Sequence, residues 1–293
     1  MDGVIVVDKP QGWTSHDVVG KMRRLAGTKR VGHLGTLDPM ATGVLPIVLN
    51  KATRLSQFYL KADKVYEAVV LLGQATNSYD ADGEAVGEFR PCELSLTQIE
   101  EHLSKFRGTQ QQMPPAVSAK KINGVPAYKL ARQNKPVDLK SVEVTVHRLE
   151  VLEYSEGKLR IVVDCTAGTY VRSIAHDLGQ AIGCGAHLGA LRRTRSGAFD
   201  LMQARTLEEL AVFSAEDRLI GALLPNRELL PDFPSERVDE LTATQIRHGR
   251  DFRTSPFQVR QGSKYVKAVT ADGDVIAIGE ARLPNVYHPI LVL

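Results

Sequence analysis

GHLGTLDPMATG, spanning Gly32 to Gly43, places one carboxylate in a segment rich in glycine and threonine. The carboxylate belongs to Asp38, which precedes Pro39, and a residue before proline is pushed from helical towards extended backbone. Gly35 and Gly43 permit tight or left-handed turns on either side of it. We therefore predict a stiff loop that presents the Asp38 side chain. These residues leave a structural alternative open, an Asx-type turn in which the carboxylate accepts hydrogen bonds from backbone amides.

The composition around this loop is that of an ordinary globular protein. The chain has 293 residues, 43% hydrophobic and 24% charged, which is enough for one large domain and a small one. The apolar run at residues 4–7 is too short for a signal peptide or a membrane span and predicts a buried strand. Three scattered cysteines form no CxxC pair, which favours a reduced, cytoplasmic compartment. The short apolar run leads us to expect no membrane association.

Charge is distributed unevenly although the net charge is only +3. Residues 1–54 carry eight Lys/Arg against four acids, whereas residues 76–102 carry seven acids against one Arg. A second basic cluster, LRRTR, covers residues 191–195. Such runs are often solvated faces, so they give only modest support for a polyanionic partner.

Hydrophobic periodicity predicts helices at TSHDVVGKMRRL and TYVRSIAHDLGQAIG, and strands at KVYEAVVLLG, SVEVTVHRLEVLEY and KLRIVVDCTAG. Adjacent strands with scattered helices favour an α+β fold. The two prolines in LLPDFPSER predict a linker, and the Asp272-Gly273 pair beyond it indicates a hairpin. We therefore expect a large domain over residues 1–230 and a small β-rich domain over residues 233–293.

Several kinds of catalytic site are disfavoured by the motifs. The sequence has no HExxH, no paired-cysteine spacing, no GxSxG and no P-loop, so we expect no metal site. A glycosidase needs two carboxylates, one on each side of the bond that it cleaves. The sequence leaves that reading open, because Asp38 could meet Asp80 or Asp164 in space.

The opening loop, with KPQGWTS upstream, closely resembles the signature of the TruB-type tRNA pseudouridine synthases. The resemblance continues in the same order over nearly the first 200 residues, through KVYEAVVLLG, DADG, MPPAVSAKKINGVPAYKLAR, CTAGTYVRSIAHDLG and HLGALRRTRSGAF. It implies the pseudouridine-synthase fold, a mixed and mostly antiparallel sheet flanked by helices. It also implies an RNA-contacting insertion around 104–140 and a C-terminal domain similar to the PUA RNA-binding domain.

The family resemblance implies an isomerase that makes pseudouridine at position 55, in the T loop of tRNA. The uridine N1–C1′ bond breaks, the base turns and it rejoins through C5. The target base must first be flipped out of the folded RNA. The expected partner is the T-stem and T-loop of tRNA, and the expected enzyme is a cytoplasmic monomer without cofactor, guide RNA or obligatory protein partner.

The resemblance also assigns roles to three catalytic residues. Asp38 matches the nucleophile, and Arg172 matches the arginine that pairs with it and holds it ionised. Tyr170 matches a second active-site tyrosine, suited to handle the C5 proton or to bond the nucleotide. Without the motif, Arg172 would be read as an exposed cation at a helix start.

Five further residues are expected at the substrate. Tyr66 matches the tyrosine that stacks on the flipped base, and Leu191 matches an apolar contact of the base pocket. His33 matches the histidine that takes the space the base vacates. Lys9 is open to a structural or a phosphate-facing role, and Asp80 falls on an acidic turn that orients the pocket. Phosphate contacts are expected from a basic set: Lys120, Lys121, Arg192, Arg193 and Arg195.

Two other functions remain open beside a stand-alone synthase. One is an RNA-binding folding factor that keeps the shell of the enzyme, and the other is a guide-RNA-dependent synthase of the box H/ACA type. An intact Asp38, Tyr66 and Arg172 argue against pure binding, because a binder has no need of that set.

Overall fold

The computed structural model describes residues 1–116, 139–255, 259 and 262–293, and the backbone of two short paired strands within 121–126. Residues 117–120, 123–124 and 127–138 of the predicted insertion around 104–140 lie outside the described residues. The same holds for the side chains of Lys120 and Lys121, so their expected phosphate contacts stay predictions.

Helices occur where the periodicity predicts them. Thr14 caps the first helix and forms a reciprocal pair of hydrogen bonds with Asp17, and Gly183 ends another in the left-handed conformation. None of the described helices is long and apolar enough to cross a membrane. The α-helices in the described residues are α1 Ser15–Leu25, α2 Ser56–Tyr59, α3 Leu96–Ser104, α4 Val171–Ile182, α5 Leu207–Ala215 and α6 Glu240–Arg247.

Strands make up most of the remaining regular structure. Those of the first 200 residues are β1 Gly3–Lys9, β2 Val31–His33, β3 Thr42–Leu49, β4 Lys64–Leu72, β5 Ala75–Thr76, β6 Ala85–Val86, β7 Gly108–Gln112, β8 Lys121–Ile122, β9 Val125–Pro126, β10 Val142–Ser155, β11 Lys158–Cys165, β12 Ala186–Ser196 and β13 Phe199–Asp200. Those of the C-terminal part are β14 Ser235–Arg237, β15 Phe252–Arg253, β16 Tyr265–Val269, β17 Val275–Leu283 and β18 Val286–Val292.

Two sheets organise the part of the chain that the structure describes. The large sheet runs β1-β3-β12-β4-β11-β10-β7, with β2 beside β3 and β13 beside β12. Its pairs are antiparallel except β3 with β12. The small C-terminal sheet runs β14-β16-β17-β18-β15. The predicted α+β class, with a β-rich C-terminal part, is confirmed.

Both faces of the large sheet are buried along β1 and β3. Strand β1 sends Ile5 and Val7 into one apolar core, beside α1 and α4, and Val4 and Val6 into a second core on the opposite face. That second core also contains Val269, Val275, Ile278 and Leu291 of the small sheet. The two sheets therefore share one hydrophobic core, and the continuous apolar run of β1 is that of a strand covered on both faces.

The segment predicted as a linker is packed. Leu229 and Leu230 are buried in the core between the two sheets, and the Leu230 amide donates to the Tyr59 hydroxyl at 2.7 Å. The two leucines that precede Pro231 therefore anchor the chain before its turn, and the role of this segment as a linker stays a prediction. The division at 230 and 233 itself stays a prediction.

Candidate active site

A cleft of about 560 Å³ opens where the loop after β2, strand β4, strand β12 and the start of α4 meet. Five of the predicted site residues line it: Asp38, Tyr66, Tyr170, Arg172 and Leu191. They come from four separated parts of the sequence, so the fold brings together what the motifs identified one by one. Lys9, His33 and Asp80 lie outside the lining of this cleft.

The loop that carries Asp38 is fixed from its buried side. The Ser15 hydroxyl accepts from the Leu37 amide at 2.9 Å and donates to the Leu37 carbonyl at 3.1 Å. The Asp38 carbonyl accepts from Ala41 at 3.1 Å, which closes a turn through the backbone. No amide of a described residue donates to the Asp38 carboxylate, so the turn is not of the Asx type and the side chain stays available.

Lys9 acts as an internal clamp for the same loop. Its side chain is fully buried, and its ammonium donates to the carbonyls of Trp13 at 2.6 Å, Pro10 at 3.0 Å and Pro39 at 3.2 Å. Burial lowers the pKa of Lys9 to about 8, and the Asp38 carboxylate opposes that shift. Of the two roles open for Lys9, the geometry supports the structural one, and the expectation of a substrate contact is corrected.

Arg172 joins two carboxylates. Its Nε lies 3.0 Å from Asp38 Oδ2 and its Nη1 lies 3.2 Å from Asp80 Oδ2. The arginine and the Asp80 side chain are only 4% and 7% exposed, whereas the Asp38 side chain is 35% exposed. Arg172 is therefore a buried bridge and not an exposed cation at a helix start. Asp80 neutralises it from within, and Asp38 meets it from the cleft.

The electrostatics of Asp38 are set by opposing effects. Loss of water around the carboxylate raises its pKa, the Arg172 guanidinium lowers it, and the Asp80 charge raises it again. The net direction is upward from the ordinary value of an aspartate. A carboxylate with a raised pKa is a better nucleophile and base, and Arg172 keeps it aimed while favouring the ionised form.

Asp80 and Asp164 do not fit the second carboxylate of a glycosidase. Asp80 is buried and its oxygens are occupied by Arg172, by the Ser78 hydroxyl and by the Asp82 amide. Asp164 pairs with Arg195 at 3.1 Å and does not line the cleft. A glycosidase needs two carboxylates that both reach the substrate, and neither Asp80 nor Asp164 lines the cleft, where the other acid beside Asp38 is the exposed Glu143.

Arg193 is buried beside Tyr66, the residue expected to stack on the flipped base. It stands opposite Tyr66 in the β12–β4 register, is 1% exposed, and donates to the carbonyls of Val44 at 2.8 Å, Gly35 at 3.0 Å and Thr36 at 3.3 Å. Burial raises the pKa of Tyr66, and the Arg193 charge opposes that rise. The expected phosphate contact of Arg193 was wrong, because alternation along β12 points this side chain inward.

The close approach of β3 and β12 explains why position 43 of the opening motif is a glycine. Gly43 has φ of +99°, and a Cβ built on it would lie 2.2 Å from the carbonyl oxygen of Arg193. Strands β3 and β12 run parallel here, with Gly43 beside Arg193. The loop and the floor of the cleft therefore fit together only because this position has no side chain.

Tyr170 is held by a residue that the sequence did not single out. Gln112, at the end of β7, accepts from the Tyr170 amide at 2.8 Å and donates to the Tyr170 carbonyl at 3.0 Å. Tyr170 also occupies the N-cap position of α4. Gln112 lies in the polar run GTQQQM, whose pattern gives no sign of a contact with residue 170.

The remaining candidates, His33, Arg192 and Arg195, do not line the cleft. His33 is half-buried at the end of β2, with its ring edge-on to His16 at 5.9 Å; burial lowers its pKa. Its part in occupying the place of a flipped base stays a prediction. Arg192 pairs with Asp8 at 2.7 Å and Arg195 with Asp164. Both arginines keep exposed surface, and their expected phosphate contacts stay predictions.

Comparison with known families gives a consistent result along the chain. Residues 23–171 match the family model described as TruB family pseudouridylate synthase (N terminal domain). Residues 172–230 match the model described as tRNA pseudouridylate synthase B C-terminal domain.

Individual relatives and solved structures agree with the family models. A protein called tRNA pseudouridine synthase B from Solibacter usitatus is 58% identical over 293 residues, covering 100% of both chains. Its namesake from Thermobifida fusca is 44% identical, covering 99% of this chain and 98% of that one. The structure titled H/ACA RNP bound to a substrate RNA containing 2′-deoxyuridine aligns with a TM-score of 0.73 and 26% identity, over 99% of this chain and 84% of that chain. The predicted fold is confirmed.

Replacement of Lys9 by methionine tests the clamp. Three buried carbonyls would lose their donor, so we expect the free energy of unfolding to fall by roughly 2–5 kcal/mol. Chemical denaturation measures the change. The matched control is Lys29→Met, an exposed lysine, which should stay within about 0.5 kcal/mol of wild type. Equal stability of the two variants would contradict the clamp.

Proposed function

The chain belongs to the TruB family of pseudouridylate synthases, and on that premise we propose that it converts uridine to pseudouridine at position 55, in the T loop of tRNA. The observation that carries the proposal is the Asp38 carboxylate, held by Arg172 at 3.0 Å and facing a cleft with Tyr66, Tyr170 and Leu191. Relatives that cover the whole chain carry the name tRNA pseudouridine synthase B.

In the proposed reaction Asp38 is the nucleophile towards the flipped-out nucleotide. The N1–C1′ bond breaks, the base turns within the cleft, and a new bond joins C1′ to C5. The C5 proton then leaves and N1 gains a proton, so the product is an isomer of the substrate. The carboxylate is regenerated, and water is not a reactant. A second carboxylate that activates water therefore has no role.

The other cleft residues have roles that suit a base rotating in a small space. The Tyr66 ring offers a stacking surface, and base–aromatic stacking contributes about 1–3 kcal/mol. Leu191 supplies an apolar contact that tolerates rotation because it makes no hydrogen bond. Tyr170 is suited to bond the nucleotide or to take part in removing the C5 proton. Asp80 is proposed as a positioning residue that acts through Arg172.

A stand-alone enzyme is the better of the two synthase hypotheses. The full-length relatives named for tRNA are 58% and 44% identical, whereas the chain of the H/ACA RNP structure is 26% identical. We therefore propose that the enzyme needs no guide RNA and no protein partner, and works as a monomer in the cytoplasm. An RNA-folding factor that only binds RNA would not need the Asp38 carboxylate to be held by Arg172 and to face the cleft.

A basic groove is proposed to bind RNA outside the cleft. Its cations come from the loop before β2, from the 3-10 helix Asn50–Leu55 after β3 and from α6: Lys29, Arg30, Lys51, Arg54 and Arg247. None of them forms an ion pair with a described residue. The Arg54 guanidinium donates to the Ile290 carbonyl, so the groove crosses from one sheet to the other. Unpaired cations in a concave surface suit phosphates.

The direct test of the proposed function uses the purified protein and an unmodified tRNA transcript, with no other component. We expect pseudouridine at position 55, mapped by base-specific chemical modification and primer extension. A transcript with cytidine at that position is the control and should stay unmodified. Turnover that needs an added guide RNA, or binding without any isomerisation, would contradict the proposal.

The groove is tested by the salt dependence of tRNA affinity. Replacing Lys29, Lys51 and Arg247 together by glutamine should reduce the steepness of log affinity against log salt by roughly 2–3, since each lost phosphate contact contributes about 0.9. Filter binding at several salt concentrations gives the slope.

A control variant removes the same charge elsewhere. Arg90, Lys105 and Lys158 are exposed and line neither the groove nor the cleft. Their joint replacement by glutamine should leave the slope as in wild type. Equal slopes for the two triple variants would mean that the groove is a solvated surface.

A further inference from the structure

Tyr79 has a backbone conformation that its residue type disfavours. It directly precedes Asp80 and has φ of +67°, the left-handed region in which a bulky residue is an outlier. Its ring lies flat against the ring of His176, with centroids 3.7 Å apart and planes 13° apart. A conformation of this kind persists only where the surroundings hold it, and the stack on His176 is a contact able to do so.

The stack and the ion pair connect the same two elements. His176 lies four residues after Arg172 on α4, so both side chains leave the same face of the helix. Tyr79 and Asp80 are neighbours on the facing turn. Two cross-links one helical turn apart therefore join α4 to this turn: the Tyr79–His176 stack, and the Arg172–Asp80 pair at 3.2 Å.

Hydrogen bonds also join the backbone of this turn to β12 and to Arg172. The Tyr79 carbonyl accepts from the Leu188 amide of β12 at 2.9 Å. The Ser78 carbonyl accepts from Arg172 Nη1 at 3.2 Å. A shift of Tyr79 would therefore move two acceptors of Arg172 together, namely the Ser78 carbonyl and the Asp80 carboxylate.

We infer that the Tyr79 ring, stacked on His176, is a positioning device that sets the turn carrying Asp80 and thereby aims Arg172 at Asp38. The inference rests on the proposed function, in which Asp38 is the nucleophile. Tyr79 and His176 lie outside the lining of the cleft, so they act through Arg172 and have no contact with the nucleotide. The requirement is for a ring at position 79, and the phenolic hydroxyl has no part in it.

Three substitutions separate the ring from the backbone conformation. Tyr79→Ala removes the ring and keeps an unfavourable left-handed residue. Tyr79→Gly removes the ring but is at ease at positive φ. Tyr79→Phe keeps the ring. We expect Ala and Gly to slow the single-turnover rate at saturating enzyme by roughly 10–100-fold, and Phe to keep the wild-type rate.

Affinity and folding are measured beside the rate. The dissociation constant for tRNA should stay within a factor of two of wild type in all three variants, because the stack lies away from RNA. Thermal melts identify any variant that has not folded, and Tyr79→Gly, free of backbone strain, keeps the test decisive if Tyr79→Ala fails. Wild-type rates in folded Tyr79→Gly would overturn the inference.

A readout that does not depend on turnover separates this inference from the proposed function. Arg172 lowers the pKa of Asp38, so a misaimed arginine should let that pKa rise. Carboxyl NMR titration of Asp38 is expected to show a higher pKa in Tyr79→Gly than in Tyr79→Phe. An unchanged value would overturn the inference even if the enzyme is active. If the wild-type protein makes no pseudouridine, a higher pKa of Asp38 in Tyr79→Gly than in Tyr79→Phe would support the inference while the proposed function is refuted.

Discussion

Arg172 holds a full positive charge where almost none of its side chain meets water, and the candidate site is arranged around that charge. A buried cation is costly unless it is paired and hydrogen-bonded. Asp80, itself buried, supplies one anion from the inside, and the Ser78 carbonyl accepts a further hydrogen bond. The Arg172 Nε lies 3.0 Å from the Asp38 carboxylate. The carboxylate proposed to attack the substrate is therefore also the second anion at Arg172, on the cleft side of the guanidinium.

This arrangement requires the loop that carries Asp38 to be rigid. Asp38 is one residue of an irregular segment, and its aim depends on contacts that come from elsewhere in the chain. Ser15 holds the backbone at Leu37, and Lys9 holds the carbonyl of Pro39 from the buried side. Gly43 lets the next strand lie against Arg193, whose guanidinium binds the carbonyl of Gly35. The loop is stiff because these cations and this hydroxyl use its carbonyls as acceptors.

The sequence predicted most helices, the long strands and the cleft residues, but it missed several contacts that hold the site in place. Helices and long strands followed from periodicity, and the cleft residues followed from motifs that resemble a known family. The sequence left the role of Lys9 open and gave Arg193 a phosphate contact, because a lysine or arginine in a motif does not reveal whether buried carbonyls accept its hydrogen bonds. Ser15, Gln112 and the Tyr79–His176 stack were missed because their partners lie far away in sequence. The packing of Leu229 and Leu230 was missed because the two prolines that follow indicated a linker, and the two leucines before them were given no role in the core.

The central claim is that the negative charge of Asp38 performs the chemistry. The most direct measurement is release of tritium from C5-labelled uridine in a tRNA transcript by Asp38→Asn, compared with Asp82→Asn, an exposed acid on the Asp80 turn. The amide keeps the volume and leaves the Arg172–Asp80 pair in place, so folding and tRNA affinity should stay close to wild type. The account predicts no tritium release by Asp38→Asn and wild-type release by Asp82→Asn. Release at a rate near wild type from a folded Asp38→Asn protein would contradict it.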